Sequence, residues 1–154
     1  MLGRTYDGEV CSIARSLEVI GERWTLLIIR NALFAGVTRF GDFQRRLGIA
    51  TNVLTSRLDG LVAADVMEKS HTTTNTEYLL TEKGRDLSGV LVALTDWGDR
   101  WAAPDGPPII YRHGNCDGAV HSRLACDTCG GQPDAVTASP GPGMPEERWT
   151  GAAE

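Results

Sequence analysis

The side chains of this sequence with the most distinctive hydrogen-bonding chemistry stand in the run TNVLTSR, from Thr51 to Arg57. Thr51, Asn52, Thr55 and Ser56 carry short hydroxyl or amide groups, and Arg57 carries a forked guanidinium. Such groups pair with base edges in the major groove of DNA, and Val53 or a threonine methyl meets a thymine methyl. Leu54, Leu58, Leu61 and Val62 repeat at helical spacing and would bury the opposite face. A helix of this kind displays Asn52, Val53 and Ser56, with Thr55 and Arg57 at its flanks. Thr51 then stands at the helix start, where free backbone N–H groups attract phosphate. A merely solvated helix face is the plainer explanation of the same polar residues, and spacing alone does not separate the two.

A second set of residues suits metal or redox chemistry. His113 and Cys116 form an HxxC pair, and Cys126 and Cys129 form a CxxC pair followed by Gly130 and Gly131. Two such turns supply four tetrahedral ligands for structural zinc. Only the nine residues 117–125 separate the pairs, which is short for a zinc ribbon, and His121 is a rival ligand. A Cys126–Cys129 redox pair and unligated thiols are the alternatives. Cys11 lies at the start of a helical pattern, where a thiol is acidified and made reactive. Arg15, one turn on, would assist. The alternative for Cys11 is a small, half-buried apolar residue.

No catalytic constellation accompanies these groups. His71, His113 and His121 are not matched with a nucleophile, and the glycine-rich CGGQPDAVTASPGPG lacks the Lys-Ser/Thr ending of a phosphate loop. A non-enzymatic protein that requires no cofactor, with zinc as a structural candidate only, is the expectation.

The elements that must position these residues follow from period and punctuation. Residues 9–21 read as a first helix ended by Gly21, and RWTLLIIRNALF as a second, central one. Thr38 precedes a short helix that turns Phe40, Phe43 and Leu47 inward, and Gly48 closes it as a left-handed residue. The Thr51 helix runs to about Ala64. DVMEKSHTTTNTEYLLT reads as two strands with an exposed tip, and Thr81 opens a last long helix that ends at Pro104. The order helix, tight turn, helix, hairpin describes a winged helix-turn-helix, whose second helix enters the major groove. The fold expected is mainly α with a small β-hairpin wing, plus a short irregular or β extension containing cysteines. Arg39, Arg45 and Arg46, with Lys69, His71, Thr73 and Thr74 of the wing, are the candidate phosphate contacts. Residues 1–103 form the DNA-binding and dimerisation domain, 104–138 the Cys/His extension, and 139–154 a Pro/Gly-rich tail expected to be disordered, although Trp149 is a candidate anchor.

Charge and hydropathy set limits on partners. The formal net charge of the 154 residues is −5, unlike that of a basic nucleic-acid binder. Yet between Arg30 and Leu61, Arg30, Arg39, Arg45, Arg46 and Arg57 face only Asp42 and Asp59, while acids dominate after Ala102. A local positive patch suits modest, salt-sensitive affinity for DNA. No apolar run approaches the roughly 20 residues of a membrane span, and charges interrupt every apolar run near the start. A cytoplasmic protein with reduced thiols and no membrane partner is the expectation.

The stretches CSIARSLEVIGERWTLLIIRNAL, RFGDFQRRLGIATNVLTSRLDGLVAADVMEK, EYLLTEKGRDL and ALTDWGDRW together resemble the HxlR-type winged helix-turn-helix transcriptional regulators over about residues 9–101. Ser12 stands where that family usually has Pro, and Glu22-Arg23 replaces its usual Gly-Lys. The resemblance implies a homodimer that binds operator DNA, with the first and last helices forming the dimer seam. Ile13, Leu17, Leu87, Val90, Leu91, Leu94, Trp97 and Trp101 are the residues expected there, and they offer more apolar face than one small domain needs. It also implies that Cys11 matches a cysteine that senses oxidants or electrophiles in some relatives. A twofold dimer predicts a pseudopalindromic site. The small-molecule or redox effector is not legible, although Trp24, Trp97 or Trp101 could line a pocket between subunits. The rival function is a winged-helix scaffold that acts as a protein-interaction module without sequence-specific DNA binding.

Overall fold

The computed structural model describes residues 10–73 and 75–145. In chain order they form α1 (Ser12–Ile20), α2 (Arg23–Ala35), α3 (Phe40–Leu47), α4 (Thr51–Ala63), β1 (Met67–His71), β2 (Thr76–Leu80), α5 (Glu82–Arg85) and α6 (Ser88–Trp101). The strands pair antiparallel, with Met67 opposite Leu80 and His71 opposite Thr76. The winged helix-turn-helix is thus present.

The chain divides into two compact units. Ser16–Ser122 form one unit, which takes in the helices after the first turn of α1, the wing and the first part of the extension. The described residues up to Arg15 and from Arg123 onward belong to the other. In the tail, residues 141–144 make a turn closed by Met144 N–H on the carbonyl of Gly141 (3.0 Å). Trp149 and the rest of 146–154 lie outside the described residues.

The core of the larger unit explains why each helix forms. Ile28 and Ile29 of α2, Phe43 of α3, and Leu54 and Leu58 of α4 are completely buried, with Leu61, Val66 and Met67 nearly so. Each such side chain contributes roughly 1.5–3 kcal/mol relative to exposure. Glycine ends α3: Gly48 has φ 61° and donates its N–H to the carbonyl of Gln44 at 2.9 Å. This left-handed residue lets the chain reverse into α4 without a Cβ penalty.

The last helix is broken where one continuous element was expected. Thr81 caps α5 by accepting the N–H of Gly84, and its hydroxyl donates to the carbonyl of Asp65 at 2.7 Å. Lys83 Nζ reaches the carbonyl of Ala64 (2.7 Å), and Arg85 Nη1 that of Leu80 (2.6 Å). These ties hold α5 at the base of the wing, so the chain turns at Asp86 and Leu87 before α6 begins. The extension is also less regular than expected. Its one bridge among the described residues pairs Arg112 with Ala119. Tyr111 packs its ring 4.2 Å from that of Phe34 on α2, and Asp96 of α6 accepts from His121 Nδ1 (2.8 Å) and from the N–H of Ser122 (2.6 Å).

Candidate nucleic-acid interface

Helix α4 buries Leu54, Leu58 and Leu61 and exposes Thr51, Asn52, Thr55 and Ser56. The i, i+4, i+7 spacing of the leucines sets one face of the helix against the core and turns these four outward. The preceding residue, Ala50, offers no side-chain cap, so the first amides of α4 have no side chain competing for them. Gln44 of α3 donates from Nε2 to Thr51 Oγ1 at 2.7 Å. The Thr51 hydroxyl keeps its own proton to donate. Thr55 Oγ1 donates to the carbonyl of Thr51 (2.9 Å), so its hydroxyl is committed to the helix backbone.

Two residues expected on that face are held elsewhere. Val53 is half-buried and packs against the core, because it lies beside Leu54 at the edge of the apolar stripe. Arg57 is half-buried, and its Nη2 lies 3.2 Å from Oε2 of Glu22 just before α2. Its Nε is buried without a hydrogen-bond partner. The side chain thus braces α4 against the start of α2. Glu22 is one of the three residues, with Ser12 and Arg23, that depart from the pattern the resemblance implies, and sequence spacing gave no sign of this pairing.

The phosphate candidates divide by what already holds them. Arg46 is exposed and has no ion-pair partner among the described residues. Arg45 pairs with Asp42 one turn back. Arg39 Nε lies 3.4 Å from Glu77 Oε1, which also accepts from Thr38 Oγ1. Lys69 donates to Asp59 Oδ1 at 2.7 Å, and that hydrogen bond holds the ammonium above its ordinary pKa. His71 shares a 3.0 Å hydrogen bond with Thr76 Oγ1. At the wing tip Thr72 and Asn75 bond each other across the turn, and Thr73 is exposed. Thr74 lies outside the described residues.

The expected dimer residues fall on two rows. Ile13 and Leu17 are exposed on α1, as are Val90, Leu94, Trp97 and Trp101 on α6. Leu91, in contrast, is only 6% exposed and belongs to the core of its own subunit. Leu87 packs against the same core. Leu91 is thus corrected from seam to core, while Leu87, one turn earlier, is only partly buried.

The structure brings the Cys/His residues together as sequence-local pairs. His113 Nδ1 is 3.2 Å from Cys116 Sγ. Cys126 is set against the amides of Cys129 and Thr128, whose hydrogen bonds hold its thiol below the usual cysteine value. Among the described residues no group of three or more His, Cys, Asp or Glu is gathered to hold a metal ion. All four cysteines are free and exposed, so Cys11 is not the half-buried apolar residue of the alternative.

With this geometry in hand, the sequence matches the family of HxlR-like helix-turn-helix proteins over residues 19–106. The chain belongs to the HxlR-like helix-turn-helix family. Among its relatives, the HTH-type transcriptional regulator Rv3095 of Mycobacterium tuberculosis is 46% identical over 149 residues, covering 93% of this chain and 92% of the relative. The crystal structure of PA1607, described as a candidate transcription factor, superposes with a TM-score of 0.76 at 38% identity and covers 84% of this chain and 94% of that one. The redox regulator HypR in its reduced form gives a TM-score of 0.53 at 29% identity, over 58% of this chain and 92% of that one. This HxlR-like chain is a DNA-binding transcriptional regulator. No helix among its described residues is long and apolar enough to cross a membrane.

Proposed function

We propose that the protein acts in the cytoplasm as a homodimer and reads a pseudopalindromic operator with the outer face of α4. The observation that carries this reading is the exposure of Thr51, Asn52 and Ser56 opposite the buried Leu54, Leu58 and Leu61. Asn52 and Ser56 are one turn apart and supply an amide and a hydroxyl to base edges, Asn suiting adenine in particular. Thr51 and the uncapped amides of α4 meet a phosphate, and Arg46 supplies the cation least committed within the protein. Trp97 and Trp101 are 63% and 65% exposed in the single chain, and Leu94 is 48% exposed. A second copy would cover these large apolar groups. Selection of bound sequences from a random DNA pool tests the reading. Enrichment of an inverted repeat supports it, and retention of DNA without sequence enrichment favours the interaction-module alternative.

A second aspect concerns release. Cys11 is exposed immediately before α1, and its carbonyl accepts the N–H of Arg15 (3.1 Å) as the first bond of the helix. A structural relative is a redox regulator, HypR, and another, YodB from Bacillus subtilis, is solved with quinone bound. On this reading oxidation or alkylation of Cys11 lowers operator affinity. A Cys11→Ser chain would then hold DNA under quinone conditions that release the parent, and equal release from both proteins would remove Cys11 from the mechanism.

A further inference from the structure

Residues 111–120 of the extension fold back on themselves. Val120 donates its N–H to the carbonyl of Tyr111 (2.9 Å) and His113 to that of Gly118 (2.9 Å), on either side of the bridge between Arg112 and Ala119. Tyr111 and Val120 therefore stand opposite each other with their side chains on one face. Two fastenings hold this segment to the helices. Tyr111 packs on Phe34 of α2, and Asp96 of α6 holds His121 and Ser122. All of these residues lie within the Ser16–Ser122 unit.

A recess of about 340 Å3 takes its lining from both fastenings and from Ser88, Gly89 and Val92 of α6. Gly89 helps to keep it open, because a Cβ added there would meet no packed neighbour within 4 Å. The volume falls at the lower end of the roughly 300–1,000 Å3 usual for small-molecule sites. Its apolar side is formed by Phe34, Tyr111, Val92 and Val120, and Phe34 is 42% exposed despite its contact with Tyr111. The charged or chargeable groups in the lining are Arg112 and His121, without a carboxylate. The nearest acids are already engaged. Asp96 holds His121 Nδ1, which leaves Nε2 as the ring nitrogen a ligand can reach. Arg112 Nη1 donates to the carbonyl of Asp117 (2.7 Å) and lies 3.5 Å from its Oδ2. Both contacts use Nη1, so Nε and Nη2 are left for a ligand.

We propose that this recess binds a small aromatic carboxylate, with its ring against Phe34, Tyr111 and Val92 and its carboxylate on the Arg112 guanidinium. A ligand ring gains from offset or edge contacts with the two protein rings. A guanidinium matches a carboxylate in charge and in the fork of its donors. Each half of the ligand answers one half of the lining. An aliphatic acid would leave the rings wet, and a neutral aromatic would leave the free donors of Arg112 without an anion.

The test is a titration of the 15N-labelled full-length chain with benzoate, followed by amide shifts, with benzamide and acetate as comparison probes. Benzoate should shift the amides of Val92, Tyr111 and Val120 saturably, with a Kd on the order of 1 mM for so small a probe. Benzamide, the neutral analogue, should bind about tenfold more weakly, and acetate should not saturate. Arg112→Gln should weaken benzoate to the level of benzamide and leave benzamide unchanged. Gly89→Leu fills the recess and should abolish binding of both aromatic probes, while Gly41→Leu, on α3, should bind as the parent does. Absence of saturable shifts at these amides, or parent-like binding by Gly89→Leu, overturns the site. Benzamide binding as tightly as benzoate overturns the anionic class. Should Arg112→Gln unfold the segment, Gly89→Leu decides, because its added Cβ meets no packed neighbour. These readouts do not involve DNA, so they stand or fall separately from the operator reading.

Discussion

Gln44 Nε2 donates a 2.7 Å hydrogen bond to Thr51 Oγ1 and so joins the supporting helix α3 to the first residue of the reading helix α4. Both ends are polar and near the surface, so the bond adds little to global stability. Its effect is to fix the orientation of the Thr51 hydroxyl and the start of α4. Gln44→Ala should therefore weaken operator binding by on the order of 0.5–1.5 kcal/mol while the melting temperature stays close to that of the parent. Paired DNA titration and thermal unfolding check this.

Asp59 neutralises Lys69 across a 2.7 Å hydrogen bond, on the side of α4 nearest the wing. Asp59→Asn should free the ammonium and remove a charge that repels phosphate. Affinity for operator and random DNA should then rise together, with a steeper dependence on salt. Arg46→Ala should do the reverse and reduce the salt slope by about 1. Binding isotherms at several salt concentrations measure both.

Gly84 lies beneath the base of the wing, where an added Cβ would meet the carbonyl oxygen of Val66 at 2.2 Å and Leu80 Cδ2 at 2.8 Å. Backbone cannot yield as a flexible side chain can. Gly84→Ala should cost about 1–3 kcal/mol. Gly41 in α3 has open space around its Cβ position. Gly41→Ala should leave stability unchanged or raise it by about 0.4–1 kcal/mol. Denaturant unfolding of both variants provides the comparison.

Asp96 holds the extension to α6 through His121 and the N–H of Ser122. The His121 hydrogen bond first, and the Ser122 amide second, keep its carboxyl below the usual carboxylate range. A depressed folded pKa stabilises above the unfolded value and ceases to do so as pH falls through the folded one. The clasp should therefore persist from neutral pH down to the ordinary carboxylate range and loosen below it. Amide exchange at Ser122 should accelerate in that acid window. Asp96→Asn should show fast exchange already at neutral pH.

Leu94, Trp97 and Trp101 form an exposed apolar row on α6. Trp97→Asp should convert a dimer to monomers in sedimentation experiments at micromolar concentration, while the helical circular dichroism is kept. Operator affinity should fall with the dimer, because two half-sites are no longer held together.

What the sequence revealed, and what it concealed, divides by the range of the interactions. The spacing of Leu54, Leu58 and Leu61 alone predicts which face of α4 is buried, and the left-handed Gly48 follows from its place after Leu47. The fate of Arg57 depends on Glu22, 35 positions earlier, which no local pattern reveals. Lys69 looked available for phosphate until the fold set it against Asp59. The break between α5 and α6 arises from ties to Ala64, Asp65 and Leu80, all made by tertiary packing. Leu91 and Leu94 are equally apolar in sequence. Only the rotation of α6 against α2 makes one core and leaves the other exposed.

The central claim is that Asn52 reads a base. The most direct test compares the affinity of the parent and Asn52→Ala proteins for the selected operator and for random DNA of equal length at one salt concentration. A loss of on the order of 1–3 kcal/mol confined to the operator is the predicted result. Equal losses on both DNAs, or no loss on either, would contradict it.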